Sequence, residues 1–429
     1  MRVLLLADDC NPDWPSLPVV AYKFARAIAN YVDAVVVTQI RNKPNIDRDG
    51  LGNAEVVYLD TERVAAPLYK LGWILSGGKD VGMTLQRAMG YPSYLVFEGY
   101  AWRRFKQDLY RGKFDLVHRI TPMSPTQPSP IAKLSPIPFV LGPLNGNLPW
   151  PKQFQAEQKR EREWLSNFRS AYKWLPYYRS TYRDSACILA AFEHTIADLP
   201  DSTKSKTINY PEVGIDPELF SCPNRHIREQ MTVLFVGRLV PYKLPEVVIH
   251  AFATSPLLKR HQLLVVGEGP ERPRLESIIT EYGLAEYVKL TGKISQVEVG
   301  QLMRQAEIFA FPSIRELGAG VVVEAMACGM TCIVVDYGGP ASLIDSNRGV
   351  KVPMGNRDAL ITSFREELEK LVNDSNKVEQ LGKAAYLHAM EYYSWDVKAQ
   401  KMLEIYNWVA NRQDIKPDFW RSEKDMTTI

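Results

Sequence analysis

Apolar residues fall in short blocks along this chain, and the blocks alternate between two periods. Arg2–Ala7 (RVLLLA) is apolar after its first residue and predicts a buried strand. Val19–Tyr31 carries apolar positions at helical spacing, and Ala34–Thr38 (AVVVT) predicts the next strand. Strand, helix and strand at this spacing predict a βαβ unit with a parallel sheet. Phe114–Val117, Phe139–Leu141 and Cys187–Ala191 predict further strands. Ile208–Phe220 (INYPEVGIDPELF) is polar and punctuated by Pro and Gly, which predicts a linker.

A second βαβ series then opens at Val233–Gly237. It continues with a helix at Pro245–Ala253 and strands at Leu263–Val266, Val288–Gly292 and Ile308–Phe311. Val321–Cys328 has the length and apolar density of a buried helix, closed by Gly329 where the backbone must turn left-handed. Thr331–Val335 predicts a strand ending in the loop Gly338-Gly339-Pro340, and Tyr393–Ala410 predicts a long terminal helix. The expected organisation is a first domain over 1–207, a linker over 208–231, a second domain over 232–392, a terminal helix over 393–412 and a loose tail over 413–429. The fold class is α/β, with two Rossmann-like domains.

Length and composition agree with this picture and narrow the function. A chain of 429 residues exceeds what one core normally serves, and 46% hydrophobic with 24% charged residues is ordinary for a globular protein. The five cysteines are scattered, with no Cys-x-x-Cys pair and no zinc-type spacing, which points to a reduced, cytoplasmic setting. Met1–Ala7 reads as a strand and not as a signal peptide, and no run of 18 uncharged apolar residues is present. A net charge of +3 gives no case for nucleic acid.

The densest chemistry lies between Phe309 and Pro340. A glycine-bearing loop, Arg315–Gly320, runs into the Val321–Cys328 helix beside the second Gly-Gly loop. Free backbone N–H groups at a helix N-terminus suit phosphate. Glu316 and Glu324 are separated by seven residues, one before the helix and one about a turn inside it. Carboxylates there would accept hydrogen bonds from vicinal sugar hydroxyls. Taken alone, each glutamate is equally an ordinary surface charge. Arg238 and Lys243, on the loop that leaves Val233–Gly237, are two cations suited to a diphosphate, or solvated loop charges if nothing binds. His118 follows Asp115-Leu116-Val117 at the predicted end of a strand, where open α/β sheets bind ligands.

Glu316-x7-Glu324 followed by Ala325-Met326-Ala327-x-Gly329 resembles the signature of the family 4 (group 1) retaining glycosyltransferases of the GT-B fold. The resemblance is firm from about Thr232 to Tyr406 and thins toward the N-terminus. It implies two Rossmann-like domains facing a central cleft, with the terminal helix crossing back to the first. It further implies that Gly237, Arg238 and Lys243 bind the donor diphosphate, that Gly318, Ala319, Gly320 and Val321 line it, and that Glu324 holds the ribose. Glu316 and His118 would contact the donor sugar. The implied activity is a metal-independent hexosyl transfer from a nucleotide sugar, with retention, to a glycan or lipid-linked acceptor, with no cofactor. Three departures stand out: Gly318 and Ala319 replace the family's aromatic and glycine, the loop Asp8–Pro18 has no Gly-Gly pair, and Val213 stands where the linker motif has Asn.

Other motifs compete. Leu263–Pro270 (LLVVGEGP) imitates a dinucleotide loop, but its third glycine would fall at Arg272, which disfavours a dehydrogenase. Asp47-Arg48-Asp49 matches a metal-binding pattern without a strand before it, so no metal site is assigned. A sugar-nucleotide epimerase or a non-catalytic nucleotide-sugar binder remains as an alternative. Finally, Trp164, Phe168, Tyr172 and Leu175 fall on one face of a predicted helix ringed by Lys159, Arg160, Arg162 and Arg169. This 152–183 segment is either a helix with its stripe in the core or a peripheral contact with an anionic membrane at its inner face.

Overall fold

The computed structural model describes residues 1–64, 66–67, 83–161 and 171–421, and two compact units divide them. The first unit comprises Met1–Asn147, Arg162–Glu212 and Trp395–Ile429; the second comprises Leu148–Glu161 and Val213–Ser394.

A seven-stranded parallel sheet organises the first unit. Its strands are β1 (Arg2–Ala7), β2 (Asp33–Gln39), β3 (Glu55–Leu59), β4 (Leu116–Thr121), β5 (Phe139–Leu144), β6 (Cys187–Ala190) and β7 (Thr207–Asn209), in the order β3-β2-β1-β4-β5-β6-β7. Leu5 pairs with Val36 on one side and His118 on the other, so β1 lies inside the sheet. Its side chains are almost wholly buried, which is why the run is apolar without alternation. The helix Leu17–Ile28 covers one face with Ala21, Tyr22, Phe24, Ala25 and Ile28, and Pro18 sits in its first turn where no N–H partner is needed. The terminal helix Trp395–Val409 belongs to this unit and packs on Leu17–Ile28.

The second unit holds β8 (Thr232–Val236), β9 (Gln262–Val266), β10 (Val288–Gly292), β11 (Ile308–Phe311), β12 (Thr331–Val335) and β13 (Gly349–Val352), all parallel in the order β10-β9-β8-β11-β12-β13. Chain direction reverses its sideways progress between β8 and β11. That reversal leaves room outside the carboxyl ends of these two strands, where such sheets take ligands.

Several expectations change. Leu148–Glu161, read within the 1–207 domain, packs with the second unit: Glu157 pairs with Arg357 at 2.5 Å, and Arg160 pairs with the buried Glu271. Arg357 also reaches Glu246 at 3.2 Å, so the segment is fastened to the helix Pro245–Thr254 by charge. Gly338-Gly339-Pro340 does not form a loop but opens the helix Gly338–Leu343. The 152–183 segment is not one helix through 175. It forms a helix at Gln155–Arg160 and a 3-10 turn at Ala171–Trp174, while Arg162, Trp164, Phe168 and Arg169 lie outside the described residues. Tyr172 packs against the first unit's core and donates from its hydroxyl to Asp198 at 2.5 Å.

The tail is also held as far as Arg421, contrary to the loose segment expected after 412. Phe419 is 1% exposed, 4.8 Å centroid to centroid from Tyr210, and Lys416 Nζ donates to the carbonyls of Ser205 and Thr207. Replacing Phe419 by Ala should therefore open a cavity beneath the terminal helix and destabilise the first unit by roughly 3 kcal/mol. Denaturant unfolding checks it; a midpoint equal to wild type would show that the tail contributes nothing.

Candidate functional site

Three loops at the carboxyl ends of β8, β11 and β12 meet in the second unit. After β8 the chain passes Gly237 and Arg238 into a short 3-10 turn, Pro241–Lys243, which a left-handed Leu244 (φ 46°) ends before the helix Pro245–Thr254. Lys243 lies flat against the strand end: a Cβ on Gly237 would stand 3.2 Å from its Cδ. The ring of Phe311, last residue of β11, is 4.8 Å from Lys243 Nζ.

Lys243 Nζ donates to Glu316 Oε1 in an ion pair whose side chains are only 10% and 16% exposed. Ser313 Oγ donates to the same carboxylate oxygen at 3.3 Å. Burial works against the Lys243 cation, yet the Glu316 carboxylate and the Tyr242 hydroxyl outweigh it, and the lysine pKa lies above its ordinary value. Lys243 is therefore cationic in a poorly solvated place, with its charge matched by the Glu316 carboxylate. Arg238 Nη2 donates to Tyr242 Oη at 3.0 Å, which aims a second cation along the same loop.

The carboxylate loop is fixed from β12. Gly339 N donates to Glu316 O at 2.9 Å, and Cβ atoms at Gly338 or Gly339 would collide with the carbonyls of Glu316 and Leu317. The two glycines are thus required by close backbone approach. Ala319 adopts a left-handed conformation (φ 57°, ψ 55°) as the residue before the helix Gly320–Ala327. That turn places Gly318, Ala319, Gly320 and Val321 at the helix N-terminus, with Glu324 about one turn inside and partly exposed. Free N–H groups and the positive end of the dipole gather there. Gly237, Arg238, Lys243 and Glu316 and the 318–324 turn therefore all stand on loops of one sheet edge.

His118 is placed elsewhere. Strand β4 runs three residues past it, so the histidine sits inside the strand, fully buried, and not at its end. Its Nε2 faces the Gly142 carbonyl at 2.6 Å and must carry the proton; Nδ1 then accepts from the Tyr406 hydroxyl at 2.6 Å. Both nitrogens are engaged within the first unit, where the ring ties β4, β5 and the terminal helix together. A polar residue after an apolar run suggests a strand's end, and nothing local announces partners 24 and 288 residues away.

Other sequence signals resolve into structure. The Gly267-x-Gly269 turn serves packing, since Cβ atoms there would collide with the carbonyls of Gly237 and Leu239, and Arg272 pairs with Glu268 and Glu276. Asp47 is engaged by Lys43 and Tyr58, and Asp49 by Arg48. Among the described residues no group of three or more His, Cys, Asp or Glu could hold a metal ion. Two residues went unread in the sequence. Tyr242 orients Arg238, and Trp150 packs edge-on to Tyr242 (centroids 6.4 Å) beneath the Arg315 guanidinium at 4.9 Å. Trp150 lies about 90 residues away along the chain, in the Leu148–Glu161 segment of the second unit.

The architecture, two parallel-sheet α/β domains, is that of GT-B glycosyltransferases. Residues 222–388, within the second unit, match the family model described as "Glycosyl transferases group 1". A D-inositol 3-phosphate glycosyltransferase of Streptomyces bingchenggensis is 30% identical over 184 residues, which is 40% of this chain and 39% of that protein. A GDP-mannose-dependent alpha-(1-6)-phosphatidylinositol monomannoside mannosyltransferase of Mycolicibacterium smegmatis is 27% identical over 47% of this chain and 56% of its own length. The chain thus spans about two-fifths to just over half the length of these curated relatives. Among solved structures, HepE of Anabaena in complex with UDP and glucose aligns at TM-score 0.60 with 17% identity, over 94% of this chain and 98% of HepE. Sucrose-phosphate synthase of Thermosynechococcus elongatus aligns at 0.64, also with 17% identity, over 96% and 100%. At such identities the likeness concerns the fold.

The buried histidine generates a pH prediction. Burial pushes the His118 pKa from 6.5 down to about 4, so between these values the unfolded chain binds a proton that the folded chain refuses. Stability should be full above pH 6.5 and fall as pH drops toward 4, by on the order of 3 kcal/mol from this residue. His118→Gln should lower the melting temperature at pH 7 and make the loss between pH 6.5 and 4 shallower. Thermal melts across that range decide it; an unchanged slope would show that His118 is not the group responsible.

Proposed function

We propose that this protein is a glycosyltransferase that moves a hexose-type sugar from a nucleoside diphosphate sugar to a glycan or lipid-linked acceptor. The observation that carries the reading is Lys243, held cationic against burial by Glu316 beside Arg238 and a helix N-terminus. The match of residues 222–388 to group 1 glycosyl transferases supports the same reading.

In this account the two cations neutralise charge on the departing diphosphate, the largest electrostatic demand of the reaction. Backbone amides of Gly318–Gly320 assist at the helix N-terminus. Glu324 accepts hydrogen bonds from ribose hydroxyls. Glu316 has two tasks: it holds Lys243 before the donor arrives, and it turns to hexose hydroxyls once phosphate supplies the lysine with another anion. The acceptor binds the first domain and attacks from the face the diphosphate leaves, which retains the anomeric configuration. Because Arg238 and Lys243 stabilise the leaving group, the transfer requires neither a metal ion nor a cofactor.

Arg238→Ala and Lys243→Ala should each lower turnover at least tenfold, roughly 1.4 kcal/mol of transition-state stabilisation or more. Sugar transfer from UDP-, GDP- and ADP-hexoses is the assay, and near-normal turnover in both variants removes these residues from the site. The glutamates should separate in calorimetry. Glu324→Ala weakens binding of the nucleoside diphosphate product, whereas Glu316→Gln spares it and reduces transfer. Equal losses of product affinity would contradict the division of roles.

A further inference from the structure

Away from this site, the first unit carries an open depression of about 360 Å³ bordered by Lys133, Lys173, Arg179 and Arg183, together with Trp174 and Tyr177. It forms where the helix Pro130–Leu134, the turn Ala171–Trp174 and the helix Tyr178–Asp184 come together. Trp174 is 87% exposed and Tyr177 43%, and Leu134, next to Lys133, is 38% exposed. Large apolar side chains scattered singly over a surface need no explanation, but Trp174 and Tyr177 together on the rim of one cationic depression do.

Neighbouring residues sharpen the contrast. Tyr172, Tyr178 and Tyr182 turn into the core, and edge-to-face contacts at 5.5 and 5.0 Å link them. Tyr177 is instead held in a left-handed backbone conformation (φ 67°), costly for a residue with a Cβ, and its ring stays outside. Among the described residues Lys133 and Arg179 have no ion pair. Arg183 pairs with its sequence neighbour Asp184, and Lys173 meets Asp198 at 3.4 Å. Among the described residues these four cations meet two carboxylates, a surplus of two positive charges.

We propose that this depression docks on the surface of an anionic phospholipid bilayer, with Trp174 and Tyr177 in the headgroup layer and the four cations against lipid phosphates. A soluble phosphate would use the cations but gain nothing from an indole ring standing in water. A bilayer interface takes both, since aromatic rings settle at headgroup depth and cations pair with anionic lipid. Docking on the surface suits a chain in which, among the described residues, no helix is long and apolar enough to cross a membrane. The contact surface differs from the stripe expected at 164–175: Tyr172 faces the core, and Arg160 is engaged by Glu271 in the second unit. The inference stands apart from the glycosyl-transfer reading, and either can fail without the other.

Flotation of the full chain with phosphatidylcholine vesicles containing about one-third phosphatidylglycerol tests it. The protein should float with these vesicles at about 0.1 M salt and separate from them at about 1 M, where the screening length falls from about 10 Å to about 3 Å. It should ignore vesicles of phosphatidylcholine alone, and inorganic phosphate at matched ionic strength should not displace it. Lys133→Gln, Lys173→Gln, Arg179→Gln and Arg183→Gln together should lower vesicle binding at least tenfold. Trp174→Ala should lower it about threefold and keep the salt dependence. Unchanged melting temperature and nucleoside diphosphate affinity in both variants would show that the fold persists. Absence of flotation, equal binding to neutral vesicles, displacement by phosphate or unchanged binding in either variant overturns the proposal.

Discussion

The ion pair between Lys243 and Glu316 holds the second unit's site together. It joins the loop after β8 to the loop after β11, and the 338–339 glycines press the second of these into place from β12. A buried cation without its partner would be strongly destabilising, so neither side chain is independent of the other. Everything around the pair serves this arrangement. Gly237 lets the lysine lie against the strand end, Ser313 donates to the carboxylate, and the Gly267 and Gly269 backbone closes against the 237–239 turn. The result is a poorly solvated ion pair with Arg238 beside it, and in such a place a cation acts more strongly on a phosphate than it would in water.

Much of the framework was legible because central parallel strands are buried on both faces. Arg2–Ala7, Ile308–Phe311 and Thr331–Val335 are unbroken apolar runs, and each forms the strand its pattern predicts. The strands that went unread lie toward the sheet edges. Glu55–Leu59 is only half-buried, Gly349–Val352 is buried only at its two ends, and Thr207–Asn209 is three residues long. A strand that buries one side has a weaker signal, and a three-residue strand has almost none. Gly338-Gly339-Pro340 was read as a loop because its composition is that of a turn, whereas the glycines are there for backbone contact and the proline fits a helix's first turn.

The loops of the candidate site were legible because their cations and carboxylates follow strand ends at short distances in sequence. What sequence alone could not supply was long-range pairing. Trp150 reaches Tyr242 and Arg315 because Glu157 and Arg160 hold its segment to the second unit, and no local pattern announces that. His118 shows the converse: its residue type suggested chemistry, but its partners Gly142 and Tyr406 make it a pin within the first unit. Phe419 likewise lies in a polar tail and is buried where Tyr210 and Lys398 meet its ring.

Amide hydrogen exchange of the full chain, alone and with UDP, GDP or ADP, tests the central claim most directly. A nucleoside diphosphate gripped at the meeting of these loops must slow exchange where its phosphates touch backbone N–H groups. The account predicts that at least one of the three nucleotides protects peptides covering 237–243 and 316–324 and leaves 139–144 unchanged. Protection confined to the first unit, or none with any of the three at saturating concentration, would contradict it.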